Sequence, residues 1–185
     1  EFKDYGVYKS TDGGKTWGIK NIGLPKNLNV THLTYDNNYN ELYASLATSK
    51  ENVPGGLYKS GDNGESWNKI KLPNGVTSVK FTKFDKNGVL YIATGDGITN
   101  VGKGGVYRSF NNGEKWEQIF NMPNTNRIDI SEIDPNYIGV VVAPNRKVKL
   151  LNPGIYISRD GGKSWNKSNK GLGQPDKIEG FGFDP

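Results

Sequence analysis

Carboxylates at a fixed spacing are the first feature of this chain that could do chemistry. Asp12, Asp62 and Asp160 each follow a serine by two residues (Ser10, Ser60, Ser158) and precede a glycine by two (Gly14, Gly64, Gly162). A tryptophan closes each motif (Trp17, Trp67, Trp165). A fourth copy in register holds Asn111, with Ser109, Gly113 and Trp116 around it. Recurring carboxylates could serve as general acids or bases. They could equally accept N–H bonds of their own turn, with glycine supplying the positive φ. The serine before and the Thr or Ser after each Asp favour turn capping. Asn111 keeps that role as a neutral acceptor, and Lys115 replaces the following hydroxyl, so this copy should cap its turn slightly less well.

Other chemistries find less support. The single histidine, His32, lies in an alternating segment and reads as a packed or channel-edge residue. With no cysteine and no second histidine, neither a zinc site nor a disulfide framework is expected, and no cofactor is called for. Gly95-Asp96-Gly97 is too short to cradle a phosphate. The net charge of +5 is spread along the chain, its densest group being Arg146, Lys147 and Lys149, so a nucleic-acid partner is not expected. No apolar run approaches the roughly 20 residues that cross a bilayer.

The elements that must position these residues follow from the repeat. GVYKSTDGGKTW from Gly6, GLYKSGDNGESW from Gly56, GVYRSFNNGEKW from Gly105 and GIYISRDGGKSW from Gly154 align without gaps, 50, 49 and 49 residues apart. Each reads as a strand, a turn and a return strand beginning at Thr/Ser-Trp, with the indole folding back under its hairpin. Tyr8, Tyr58, Tyr107 and Tyr156 repeat with them and are expected between blades. Two further strands per repeat are predicted: 30–36, 76–85, 128–134 and 178–184 as first strands, then 41–47, 89–94 and 138–143 as second strands. Four short strands per 49–50 residues predict an all-β fold, a β-propeller of four-stranded antiparallel blades. The blades divide as 1–24 (half), 25–74, 75–123, 124–173 and 174–185 (a first strand). This reads as a segment of a larger propeller whose remaining blades would be its partners; a closed four-bladed ring is the alternative.

The motif Ser10-Thr11-Asp12-Gly13-Gly14-Lys15-Thr16-Trp17 and its three relatives resemble the Asp-box, or BNR repeat. Sialidases, the xyloglucan-cleaving enzymes of glycoside hydrolase family 74, sortilin-type receptors and a photosystem II assembly factor carry it. The resemblance implies that the box is structural and that function lies on the opposite face. That face would be formed by the segments 48–55 (TSKENVPG), 95–104 (GDGITNVGKG) and 144–153 (PNRKVKLLNP), which do not repeat. Asp96, Asn100, Lys103, Asn145, Arg146 and Lys147 are the candidate ligand-binding residues. A glycosidase needs two carboxylates about 5–10 Å apart, for which Asp96 and Glu51 are candidates, with Asp176 in a connecting loop. The Asp-Val-Gly-Gly context of the family 74 acid and base does not occur in the chain, nor does the Arg-Ile-Pro segment of sialidases. Of four arginines, Arg108 and Arg159 sit at the box end, which leaves Arg127 and Arg146 for the loop face. The resemblance implies an extracellular or cell-surface propeller that binds or hydrolyses polysaccharide. The alternative is a non-catalytic scaffold: an adhesin, surface-layer component, receptor or assembly factor.

Overall fold

Alternating side chains and Asn- or Gly-bearing turns bring consecutive strands into antiparallel pairs. The structure, a computed structural model, describes residues 6–26, 29–49, 53–95, 104–144, 152–174 and 178–184. Its described strands are β1 (Tyr8–Lys9), β2 (Gly18–Ile19), β3 (Val30–Asp36), β4 (Glu41–Leu46), β5 (Gly56–Ser60), β6 (Asn68–Ile70) and β7 (Val79–Phe84), followed by β8 (Leu90–Thr94), β9 (Gly105–Ser109), β10 (Glu117–Phe120), β11 (Thr125–Ile130), β12 (Ile138–Val142), β13 (Gly154–Ser158) and β14 (Asn166–Lys167). They form three four-stranded sheets in sequence order, β3–β6, β7–β10 and β11–β14, and a two-stranded sheet β1–β2. These are propeller blades, each an antiparallel meander.

The second strands are the most apolar, and β8 and β12 are buried along their whole length. Three apolar clusters lie between successive blades. Val7 meets Ala44, Leu46, Tyr58 and Trp67 in the first. Tyr43 and Leu57 meet Val79, Leu90, Ile92 and Tyr107 in the second. Tyr91, Ala93, Val106 and Phe120 meet Ile128, Ile138, Val140 and Val142 in the third. Tyr58 and Tyr107 are thus interblade core, Tyr156 is packed beside it, and Tyr8 is 41% exposed. Polar pairs also cross between blades: Thr34 Oγ1 donates to Thr82 O at 2.9 Å, and Lys83 pairs with Asp129.

The strand edges depart from expectation in three places. The return strands start at Gly18, Asn68, Glu117 and Asn166, one residue beyond each tryptophan; the indoles of Trp67, Trp116 and Trp165 are turned toward the preceding blade. The third first strand begins at Thr125 and ends at Ile130, with Asp134 in the turn that follows, where Tyr137 N–H donates to Asp134 O. The segment 178–184 forms no strand, since no described residue offers it a ladder. It is held instead by Arg127 Nε–H donating to Glu179 O at 3.0 Å and Phe183 N–H donating to Asp129 Oδ2 at 2.9 Å.

Candidate functional site

The boxes are built alike. Gly14 N–H donates to Ser10 Oγ at 2.7 Å, and Ser10 Oγ donates to Asp12 Oδ1 at 2.8 Å. Asp12 Oδ1 also accepts from Thr16 N–H at 2.9 Å, and its Oδ2 from the Thr16 hydroxyl at 2.6 Å. Asp62 with Ser66, and Asp160 with Ser164, repeat this pattern. The hydroxyl bond first, then the backbone N–H, hold each of the three carboxyls down to about 2. Both oxygens are occupied by the turn, and a carboxyl held that low is poorly suited to donate a proton near neutrality. In the third copy Asn111 Oδ1 accepts from Lys115 N–H at 2.9 Å and from Ser109 Oγ at 3.0 Å, and the hydroxyl-to-carboxylate bond is gone.

The box glycines bring one blade onto the next. Gly113 has φ +91°, and a Cβ there would lie 2.7 Å from Ile70 Cγ2 of the preceding blade. Each tryptophan with a preceding blade also reaches across to it. Trp67 Nε1–H donates to Lys20 O at 2.8 Å, Trp116 to Lys71 O at 3.0 Å and Trp165 to Ile119 O at 2.8 Å.

Strand direction sorts the connections. Box turns and the turns between first and second strands lie at one end of the blades. Links from second to third strand, and from blade to blade, lie at the other. At this loop end the first strands share a defect: the register shifts between Val30 and His32, between Val79 and Phe81, and between Thr125 and Arg127. The extra residues, Thr31, Lys80 and Asn126, are β-bulges, which bend a strand and re-aim its side chains. All three line a cleft of about 690 Å³, completed by Arg127, Ala143, Pro144, Ile178 and Glu179. Just below, His32, Phe81 and Arg127 occupy equivalent positions of three successive first strands. The His32 and Phe81 rings lie 3.7 Å apart between centroids, and Arg127 Cζ lies 4.8 Å from the Phe81 centroid. Burial first, then the neighbouring Arg127 charge, lowers His32 to about 4, so it is neutral at physiological pH.

The stems of the link between β8 and β9 are fixed by close backbone approach. A Cβ on Gly95 would lie 2.5 Å from Asn124 N, and one on Gly104 would lie 2.7 Å from Pro123 Cα. At the opposite end a depression of about 480 Å³ is lined by Asp36, Asp85 and Glu132 among others. There Asp36 caps Asn38 N–H and Asp85 caps Asn87 and Val89 N–H, so these two carboxylates serve turns.

Asp96, Asn100, Lys103, Asn145, Arg146, Lys147, Glu51 and Asp176 lie outside the described residues. Of the arginines, Arg108 is taken up at the box end by Glu117 and Gly161 O, and Arg159 lies over Tyr137. Arg127 stands on the loop face. Thr31, Lys80, Asn126 and Glu179 were not singled out from sequence. No common sequence signal marks them: Val79-Lys80-Phe81 alternates straight through its bulge, and Thr125-Asn126-Arg127 is polar throughout. Among the described residues no group of three or more His, Cys, Asp or Glu side chains could hold a metal, and no helix is long and apolar enough to cross a membrane.

A family model described as the BNR/Asp-box repeat matches residues 156–167, the box of the last blade. No curated protein matches the chain by sequence. Among solved structures, a glycoside hydrolase family 74 enzyme of Niastella koreensis is 22% identical with a TM-score of 0.66, over 88% of this chain and 26% of that one. The family 74 xyloglucanase of Xanthomonas campestris is 19% identical with a TM-score of 0.64, over 89% and 27% of the two chains. A Hadza microbial sialidase is 19% identical with a TM-score of 0.57, over 87% and 39%. The chain therefore spans well under half of each of these proteins. It is built of Asp-box repeats on propeller blades similar to those of family 74 glycoside hydrolases and a sialidase.

Proposed function

We propose that the chain forms part of an extracytoplasmic propeller that binds or hydrolyses polysaccharide, with the loop-end cleft as its receiving surface. The observation that carries this reading is the convergence of Thr31, Lys80 and Asn126, bulged residues of three blades, with Arg127 and Glu179 on one cleft. Polar donors and acceptors above an aromatic and a guanidinium plane suit sugar hydroxyls and ring faces. The solved structures named as a xyloglucanase and a sialidase support a glycan as the ligand class. Asp96 and Glu51 remain the proposed acids, and Asn100, Lys103, Asn145, Arg146 and Lys147 the proposed ligand contacts. One observation favours the scaffold reading instead: Glu179 is the only carboxylate among the described residues lining the cleft, whereas hydrolysis needs two.

Calorimetric titration with xyloglucan and with sialylated glycans, alongside release of reducing ends, tests both readings. The expected result is saturable binding weakened at least tenfold by Arg127→Ala, about 1.4 kcal/mol. Hydrolysis abolished by Asp96→Asn would establish the enzyme. Binding without hydrolysis would leave a glycan-binding propeller, and no binding to either polymer would sink the carbohydrate reading.

A further inference from the structure

The third box departs from the other three at four positions, and the four meet in one place. Phe110 stands where the others have Thr11, Gly61 and Arg159, and Asn111 where they have aspartate. Lys115 stands where they have Thr16, Ser66 and Ser164, and Glu117 where they have Gly18, Asn68 and Asn166. These four side chains, with Arg108 and Trp116, line a cleft of about 260 Å³ at the box end. The strands that carry it, β9 and β10, belong to the blade β7–β10, which packs against a four-stranded blade on either side. No open blade edge therefore accounts for the cleft, yet Phe110 is 68% exposed.

Each departure changes what the turn offers. In the second box both Asp62 oxygens are occupied, Oδ1 by Ser66 N–H and Oδ2 by the Ser66 hydroxyl. Asn111 Oδ1 keeps the bond from Lys115 N–H, which fixes the amide so that Nδ2 takes the place of Oδ2. That Nδ2 donates to no described residue, so an occupied acceptor has become an available donor. Lys115 adds an ammonium that pairs with no described carboxylate. Arg108 is held in place: its Nε–H donates to Glu117 Oε2 at 2.9 Å, its Nη1–H donates to Gly161 O at 2.9 Å, and its Cζ lies 5.1 Å from the Phe110 centroid. Glu117 keeps Oε1 as an acceptor, and Trp116 is pinned by its bond to Lys71 O. The cleft thus joins two aromatic rings, an amide donor and a carboxylate oxygen, with two cations against one anion. Such a surface matches a C–H ring face, hydroxyls and a carboxylate together. A sugar acid carries all three, and the volume suits a single ring.

We propose that the third box binds an acidic sugar, one uronate residue of a polysaccharide, with its carboxylate on Lys115 and Asn111 Nδ2 and its ring against Phe110 and Trp116. The site lies at the box end and does not rest on the carbohydrate reading of the loop-end cleft. Two-dimensional amide NMR of the full chain tests it by titration with methyl glucuronoside, methyl glucoside and acetate. The glucuronoside should shift the Trp116 indole N–H signal saturably, with a Kd in the millimolar range for one ring on a shallow surface. Glucoside and acetate should bind at least tenfold more weakly. Asn111→Asp/Lys115→Thr rebuilds the Asp–hydroxyl pair of the other boxes, so its loss of at least tenfold in affinity does not come from unfolding. Phe110→Thr, which copies the first box, should lose affinity as well. Arg127→Ala, at the loop-end cleft, should titrate as the wild type does. A wild-type chain with no saturable shift, equal affinity for glucoside or acetate, or a double variant that binds as the wild type does overturns the proposal. So does a loss of the shift in Arg127→Ala, which would assign the sugar to the loop-end cleft.

Discussion

At the scale of single residues, the box shows how much an Asp and a hydroxyl depend on each other. In three copies the carboxylate takes a backbone N–H on one oxygen and a Thr or Ser hydroxyl on the other. In the third copy the charge and the hydroxyl are missing together, as Asn111 and Lys115. Restoring either alone brings little: Asn111→Asp would lack its second donor, and Lys115→Thr would offer a hydroxyl to an amide. The double variant Asn111→Asp/Lys115→Thr should therefore raise the urea midpoint by more than the sum of the singles. Asp62→Ala should lower it by more than Asn111→Ala does. The gain should also depend on acid. A carboxyl held near 2 in the folded chain stabilises it above the unfolded value of 3.8, and that contribution is lost as pH falls through 3.8 toward 2. Equal midpoints for the double variant and the wild type at pH 7 would show that the turn is satisfied without the pair.

At the scale of the element, the tryptophan belongs to two blades at once. Trp67 is almost fully buried against Val7 and Leu24 while donating to Lys20 O. Trp67→Ala should cost about 3–5 kcal/mol, the range for deleting a large buried aromatic. Trp17→Ala, at an exposed indole, should stay within about 0.5 kcal/mol. Similar losses at both sites by urea denaturation would mean that the indoles act within their own hairpins and not between blades. The hairpins themselves were legible from sequence, because Ser-x-Asp-x-Gly and the alternation before it are local chemistry. The clasp was not, because its acceptor is a backbone carbonyl some 45 residues away, and a carbonyl leaves no mark in a sequence. The start of β11 was missed for a related reason. Thr125, Asn126 and Arg127 look like loop residues, yet Thr125 pairs with Val142 and Arg127 with Val141, whose neighbours have already fixed the sheet. The segment 178–184 erred the other way: its aromatic alternation suits a strand, but pairing needs a partner that pattern cannot supply.

At the scale of the whole molecule, blade-to-blade order decides what meets at the loop end. The sequence pointed to the loop face through segments that do not repeat, and its proposed ligand residues there lie outside the described structure. What the structure adds is a wall just below the three bulges, His32 on Phe81 and Phe81 under Arg127, one residue from each of three blades. No strand pattern shows it, since His, Phe and Arg share neither polarity nor size and align only once the three bulges are counted. The wall makes stability depend on pH in a window above that of the box aspartates. Folded His32 titrates at about 4, below its ordinary 6.5, because protonation would charge a half-buried ring beside Arg127. The unfolded chain binds that proton first, so the contribution of neutral His32 is complete above pH 6.5 and is lost as pH falls toward 4. The box aspartates, whose folded values are near 2, titrate below this range. Between pH 6.5 and 5 the wild-type urea midpoint should therefore fall, while that of His32→Phe, which keeps the ring contact and cannot take a proton, should stay nearly level. Arg127→Ala should flatten the wild-type slope in part, because burial is the larger cause and the arginine the smaller. Parallel pH profiles for wild type and His32→Phe would mean that the three-blade wall is not what governs the histidine.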